Sequence, residues 1–320
     1  MRLGILGTAD ITFRRFLPAL QQCPDITYAG VASRTPEKAK PFQQQFGGLI
    51  YDSYDALLAD ESIDAVYVPL PPALHYEWGK KVLQAGKHLF MEKPFATSVA
   101  QTEELLALAE EKGLAVHENY MFLYHSQLDW IREQVSAGVL GELRLIRASF
   151  GFPFRGKADF RYDKALGGGA LLDCGGYPVR LATELLGGDV KVTACRLNGG
   201  RGLDVDVYGT ATLENDKGQV AQISFGMDNS YKCELELWGS TGCLHTGRIF
   251  TAPAGFEPTV SVQKQTGTET VTLPADDSFR NSIDVFCALA AQPKLRPAFA
   301  QRIALQSKLV ETIQKEGMQK

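Results

Sequence analysis

The alternation in the first third of this chain constrains its fold more than any other feature. Short apolar runs (LGIL at 3–6, YAGVAS at 28–33, AVYVPL at 65–70, HLFME at 88–92, LAVHEN at 114–119) are separated by stretches such as 73–85 and 98–111 whose apolar residues recur three and four apart. Continuous apolar runs suit strands buried on both faces, and the 3.6-residue period suits helices laid on a sheet. Strand, helix, strand, helix predicts an α/β domain with a doubly wound parallel sheet. Gly86 after KKVLQA and Gly113 after LALAEEK stand where helix C-caps belong.

Beyond residue 120 the rhythm changes. The pattern predicts a helix over 124–136, a long strand over ELRLIRASFGF, and a glycine-rich block, LGGGALLDCGGY, leading into a helix that ends near Leu186. Residues 190–274 read mostly as strand, with a turn at ENDKGQ (214–219), and two helices close the chain near 277–291 and 298–315. Strands grouped together with helices set apart read as α+β, here with a large, mostly antiparallel sheet. The division falls near residue 119, giving domains 1–119 and 120–320.

With 320 residues, both domains have material for a core. A net charge of −4 and a pI of about 5.8 favour neither nucleic acid nor an anionic membrane. No apolar run approaches the roughly 20 residues of a membrane span. Met1 and Arg2 lead directly into a strand-like run and not into a leader, so a cytoplasmic protein is expected. Cys23, Cys174, Cys195, Cys233, Cys243 and Cys287 form no C-x-x-C pair, so no metal is expected and free thiols are.

Three stretches carry chemistry. In GILGTADITFRRFLPAL, residues 4–20, an apolar run ends at Gly7 and a helical pattern follows at once. That is the place of a dinucleotide-binding glycine fingerprint, but Ala9 and Thr12 occupy its second and third glycine positions. A pyrophosphate at a helix N-terminus needs close backbone approach, which Gly7, Thr8, Ala9, Asp10 and Ile11 can still give; the bland alternative is a plain turn. Thr12 adds bulk where helix and strand pack, so the helix is expected to sit slightly differently. At the end of the second strand, an acid would grip the ribose hydroxyls of NAD. This chain has Ser33, Arg34, Thr35 and Lys38 instead, which suit a 2′-phosphate and favour NADP(H) over NAD(H); the alternative is a solvated loop arginine.

The second stretch, HLFMEKPF, sets Glu92, Lys93 and Pro94 at the end of the fifth predicted strand, where a lysine faces the ligand crevice and can hold a carbonyl or hydroxyl oxygen. A surface lysine fixed by Glu92 is the competing reading. In the third, GGGALLDCGGYPVRLATELLG, Asp173, Tyr177 and Arg180 share one helical face, although Gly175, Gly176 and Pro178 disfavour a regular helix there. Tyr177 can give a proton to a ketone oxygen, and a nearby Lys93 cation would lower its phenol from the ordinary pKa of about 10. Asp173 would orient a substrate hydroxyl or the phenol. Glu184, four residues on, offers Arg180 a purely structural partner.

GILGTADI, AGKHLFMEKPF and GGGALLDCGGY together, in this order and spacing, resemble the glucose-fructose oxidoreductase / inositol dehydrogenase / MocA family. The resemblance implies a Rossmann domain, a C-terminal substrate-binding and oligomerisation domain on a large open sheet, a nicotinamide cofactor, and Lys93 beside the nicotinamide and the substrate. It also implies homodimers or homotetramers through the open sheet face. Many members carry His where this chain has Tyr177; tyrosine there resembles the branch with dihydrodiol and NADP-linked xylose dehydrogenases and nucleotide-sugar 3-ketoreductases. GTADITFRRFLPAL and ENYMFLYHSQ look most like the last of these. Pro69, Leu70, Pro71 and His75 would line the cofactor path, with Glu118, Asn119 and Tyr120 near the nicotinamide ribose. His75 can equally be a helix-start residue. His125, Arg155, Arg161 and Arg180 are candidate substrate contacts, with structural readings beside them: a histidine that serves the fold, loop arginines beside Asp159 and Asp163, and the pairing of Arg180 with Glu184.

The leading expectation is an NADPH-dependent nucleotide-sugar 3-ketoreductase. Its rivals are an NADP-dependent aldose or trans-dihydrodiol dehydrogenase and, in another class, a non-catalytic dinucleotide or sugar sensor.

Overall fold

In the computed structural model, which describes residues 1–318, six parallel strands form one sheet in the order β3-β2-β1-β4-β5-β6. They are β1 Arg2–Leu6, β2 Thr27–Ala32, β3 Leu49–Tyr51, β4 Ala65–Val68, β5 His88–Met91 and β6 Val116–Glu118. This is the strand order of the doubly wound dinucleotide-binding fold, with its crevice beyond the carboxyl ends of β1 and β4. Leu3, Ile5 and Leu6 of β1 and all of β4 have no exposed surface, as strands covered on both faces require. The helices are α1 Leu17–Leu20, α2 Pro36–Phe46, α3 Tyr54–Ala59, α4 His75–Gln84 and α5 Val99–Glu111. Gly86 and Gly113 end α4 and the α5 turn at φ of 74° and 62°. The edge strand β3 falls outside the apolar runs predicted as strands: its residues are half-buried or exposed, whereas the equally short β6 is buried throughout.

Thr12 is fully buried, and the chain there makes a π-helical turn, Thr12–Phe16, before α1. The expected displacement of this helix thus takes the form of a wider first turn. It carries Phe16 onto Tyr67 of β4, ring to ring at 3.8 Å.

The second sheet has eight strands in the order β14-β13-β12-β11-β7-β10-β9-β8. They are β7 Leu143–Gly151, β8 Lys191–Asn198, β9 Tyr208–Glu214, β10 Val220–Gly226, β11 Lys232–Gly239, β12 Gly242–Gly247, β13 Thr259–Lys264 and β14 Gly267–Thr272. Only β7 and β10 pair in parallel. Strict alternation marks a sheet covered on one face: Ile146, Ala148, Phe150, Ile223, Phe225, Leu235 and Leu237 are buried, while Trp238 is 53% and Tyr208 47% exposed. Helices α6 Ser126–Ser136 and α7 Gly176–Leu186 belong to this unit.

The chain divides into Met1–Asn119 with Phe279–Ser307, and Tyr120–Ser278 with the chain from Lys308 onward. An uninterrupted second domain over 120–320 therefore needs one correction. Residues 279–307, comprising most of α8 (Ser278–Ala291) and the first half of α9 (Arg296–Gly317), return to the first unit. Phe286 is fully buried 4.9 Å from the Phe90 ring, and Arg296 donates to Gly113 O at 2.6 Å. An amphipathic helix does not announce which of two sheets it covers.

Candidate active site

The sequence-predicted cofactor residues of the first unit all follow the carboxyl ends of its strands: Gly7 to Ile11 after β1, Ser33 to Lys38 after β2, Pro69 to Pro71 after β4, Glu92 and Lys93 after β5, and Asn119 after β6. Gly7 has φ +97°, and a Cβ there would stand 2.8 Å from a Leu70 methyl, so the one retained glycine of the fingerprint is the one the turn requires. Its N–H donates to Ala32 O at 2.8 Å, tying the turn to β2. Thr8, Ala9 and Ile11 are half-buried; Asp10 is exposed and reaches Arg14 at 3.3 Å. The Ala9 carbonyl accepts from Thr12 and Phe13, which starts the helical turn. Thus the turn into the helix closes without glycine at positions 9 and 12.

After β2, the Ser33 hydroxyl accepts from Thr35 N at 3.2 Å, folding the loop back on itself. Arg34, Thr35 and Lys38 are exposed. Arg34 faces the Tyr54 hydroxyl; burial raises that phenol's pKa, and the Arg34 charge opposes the rise. The same hydroxyl lies 3.6 Å from where a Gly7 Cβ would be, and the Tyr54 ring packs edge-on against Trp78 at 4.7 Å. A fixed aromatic residue, invisible to motif reading, thus stands between the glycine turn and the arginine. No carboxylate follows β2 directly, so this end fits a phosphate-bearing ribose better than a free diol.

Glu92 accepts from the Tyr67 hydroxyl at 2.7 Å and the Asn119 amide at 2.6 Å, both on Oε1. Burial pushes its carboxyl up, while Tyr67, Asn119 and the Lys93 charge pull it down. Glu92 is therefore tied to the strands beside it, and does not simply fix a surface lysine. The Lys93–Pro94 peptide is cis. Glu118 accepts from Phe95 N at 2.8 Å, which holds the segment after Lys93. His75 is fully buried, with Nδ1 2.7 Å from Pro94 O and Nε2 2.7 Å from Leu70 O; the neutral ring donates to one of these carbonyls and packs against the other. Its contacts are those of a brace between the loops after β4 and β5.

In the second unit, the glycine-rich block is explained by Asp206, which no motif pointed to. Its side chain accepts from Leu171 N at 2.7 Å, and a Cβ on Gly169 (φ +127°) would stand 2.4 Å from its Oδ1. A π-helical turn, Leu171–Gly175, follows and passes into α7. This is the irregularity that Gly175, Gly176 and Pro178 foretold. Asp173 sits on that turn and accepts from Arg161 Nε at 2.9 Å. Tyr177 opens α7, is 7% exposed, and lies in an aromatic cluster: Phe150 at 5.1 Å, Tyr120 at 5.2 Å, Phe122 at 5.8 Å and Phe250 at 5.9 Å.

The arginines separate by their partners. Arg180 is buried and ion-paired with Glu184 at 3.3 Å, and Arg132 donates to the same carboxylate at 3.0 Å. The Arg180 charge is thus paired inside the fold. Arg161 is held by Asp159 and Asp173, again a structural pairing. Arg155 differs: it is exposed, its guanidinium lies 4.6 Å over the Phe152 ring, and no ion pair holds it among the described residues. His125 is buried; its Nδ1 accepts from Gln127 N at 3.2 Å, capping α6, while its Nε2 has no hydrogen-bond partner among the described residues. Among those residues no group of three or more His, Cys, Asp or Glu is placed to hold a metal, no helix is long and apolar enough to cross a membrane, and all six cysteines are free.

A 3-2-1-4-5-6 sheet with a glycine turn, a phosphate-suited second strand and a glutamate–lysine pair at the crevice defines an oxidoreductase of the Rossmann type. Residues 1–120 match the model of an oxidoreductase family with an NAD-binding Rossmann fold, and residues 129–245 match the GFO/IDH/MocA C-terminal domain. The chain belongs to the GFO/IDH/MocA oxidoreductase family. It is 42% identical, over 98% of its own length and 94% of the relative's, to a dTDP-3,4-didehydro-2,6-dideoxy-alpha-D-glucose 3-reductase of Actinomadura kijaniata. It is 32% identical, over 89% of its length and 88% of the relative's, to D-xylose 1-dehydrogenase (NADP(+)) 2 of Haloferax volcanii. Its fold matches the crystal structure of KijD10, a 3-ketoreductase from Actinomadura kijaniata in complex with NADP and TDP-benzene, with a TM-score of 0.96 at 41% identity, covering 99% of this chain and 97% of that one.

Proposed function

We propose that this protein is an NADPH-dependent reductase of a nucleotide-linked 3-ketosugar. The observation that carries the reading is the whole-length likeness to a dTDP-ketosugar 3-reductase joined to a second strand that ends in Ser33-Arg34-Thr35 and not in an acid. The residues suit NADP(H): the Gly7 turn leads into a helix N-terminus, which can take a pyrophosphate, and Arg34 with Ser33 and Lys38 suits a 2′-phosphate. When bound, the cofactor supplies or accepts a hydride. Lys93 holds and polarises the sugar oxygen by a charge-assisted hydrogen bond. Tyr177 passes a proton from Oη to that oxygen, its ring fixed by Phe150 and Tyr120. Asp173, anchored by Arg161, orients a sugar hydroxyl. Crystallised variants of KijD10 replace a tyrosine and a lysine that are separated by the same number of residues as Tyr177 and Lys93, which supports these two positions.

Arg155 favours a charged substrate over a neutral aldose or diol. It is a cation on an aromatic ring with no acid to neutralise it, and Phe152 and Phe150 link it to the Tyr177 cluster at centroid steps of 6.1 and 5.1 Å. A diphosphate suits it. The outer face of the second sheet, with Trp238 and Tyr208 exposed, is the pairing face of a homodimer or homotetramer in this reading, and the free cysteines suit the cytoplasm. Loss of NADPH absorbance with a dTDP-linked 3-ketohexose is the test. Reduction of NADP by xylose or a trans-dihydrodiol, with the ketosugar inert, would replace this reading with the xylose dehydrogenase-like one. Cofactor binding without turnover of any of the three would leave a sensor.

A further inference from the structure

Ser282 lies on α8, far in sequence from every motif, in the segment that returns to the first unit. A buried hydrogen-bond chain passes through its hydroxyl. His117 Nε2 stands 2.9 Å from Ser282 Oγ; Ser282 donates to Asn119 Oδ1 at 2.9 Å; Asn119 Nδ2 donates to Glu92 Oε1 at 2.6 Å; and Tyr67 donates to that same oxygen at 2.7 Å. His117, Asn119, Ser282 and Tyr67 have no exposed surface, so water does not compete for these bonds.

The proton count gives the chain a direction. A serine hydroxyl has one proton. Given to Asn119, it leaves Ser282 only as an acceptor toward His117, so His117 donates from Nε2. The Asn119 oxygen is then occupied, and its NH2 must face Glu92. Every donor points toward Glu92, which is the arrangement an ionised, acceptor-only carboxylate demands. The chain reverses as a whole only if Glu92 is protonated and donates to a turned Asn119 amide.

We infer that Ser282 is a positioning residue: by holding Asn119 Oδ1 it fixes the polarity of the amide and so keeps Glu92 an anion next to Lys93. The titratable groups facing Glu92 are Tyr67 from β4 and its neighbour Lys93, with His117 of β6 three hydrogen bonds away along the chain; α8 contributes the neutral Ser282. The consequence for the sugar oxygen rests on the proposed function, because Lys93 is placed there by that reading. The ionisation of Glu92 does not.

Infrared difference titration of the whole protein tests this, with Glu92→Gln identifying the Glu92 carboxyl band. Wild type is expected to show no protonated Glu92 band at about pH 7. Ser282→Ala shows one, its midpoint raised by about one pH unit or more. Ser282→Thr, which keeps the hydroxyl, restores the wild-type titration, and Ser282→Cys, a weaker donor, falls between. A protonated Glu92 band in wild type near pH 7, or unchanged midpoints in the Ala and Cys variants, overturns the inference. In turnover, the acid limb of kcat/KM moves up with the same midpoint, whereas a merely structural serine would lower kcat without moving it. Wild type inert toward every sugar tested, with the infrared shift present, tells against the proposed function and supports the role of Ser282.

Discussion

Replacing Arg34 with alanine isolates the choice between the two nicotinamide cofactors. Arg34 is exposed at the end of β2, beside the Ser33 turn and facing the Tyr54 hydroxyl. Two unit charges at about 4 Å are worth about 1 kcal/mol in water and about 4 kcal/mol at an effective dielectric of 20. Because Arg34 is solvated, the lower figure applies. A phosphate monoester carries close to two charges at neutral pH, which gives about 2 kcal/mol, or roughly thirtyfold in affinity. NADH lacks that phosphate and should bind Arg34→Ala as it binds wild type. The assay is KM for each cofactor at fixed ketosugar, with Kd from nicotinamide fluorescence. The advantage of wild type for NADPH should shrink in 1 M salt, where the screening length falls to about 3 Å. Tyr54→Phe should reproduce a few-fold part of the effect, because it removes the hydroxyl facing Arg34 and keeps the ring on Trp78. Equal weakening of NADPH and NADH in Arg34→Ala would refute the reasoning and reduce Arg34 to a loop residue that merely supports the crevice.

Lys93→Met and Tyr177→Phe should each lower kcat at least about a hundredfold, the scale of a positioned acid–base group; the Tyr177 ring contacts on Phe150 and Tyr120 survive in the phenylalanine variant, so unchanged melting with near-normal turnover would remove the tyrosine from the chemistry. Gly169→Ala should cost about 2 kcal/mol and lower Tm, because φ is +127° and the new Cβ meets Asp206 Oδ1 at 2.4 Å; an unchanged Tm would show that the Leu171 cap can shift freely. Burial holds His75 at about 4, below the ordinary 6.5. The unfolded chain therefore binds the extra proton first, and stability, full above about pH 6.5, should fall as pH drops toward 4. His75→Gln should flatten that slope in thermal melts, and a wild-type curve already flat there would mean that Leu70 O and Pro94 O hold the imidazolium instead.

The sequence by itself determined what depends on short-range pattern. Doubly apolar runs fix buried parallel strands, glycine at positive φ fixes the Gly7, Gly86 and Gly113 turns, and the ends of β2 and β5 carry Arg34 and Lys93 wherever the helices pack. The irregular start of α7 was equally legible in Gly175, Gly176 and Pro178, since glycine and proline act through the local backbone. Only the tertiary structure decided which charges are spent. The i, i+4 pair of Arg180 and Glu184 is legible in the sequence, but that Arg161 closes on Asp173 and Arg132 on the same Glu184, while Arg155 stands over Phe152, is not. Asp206 beneath Gly169, Tyr54 before Arg34 and Ser282 behind Asn119 and Glu92 come from elements tens to more than a hundred residues away, or from no motif at all. Hydrogen bonds and ion pairs need atoms within about 3 Å, and for residues distant in the chain that proximity is created by packing, which no local period encodes.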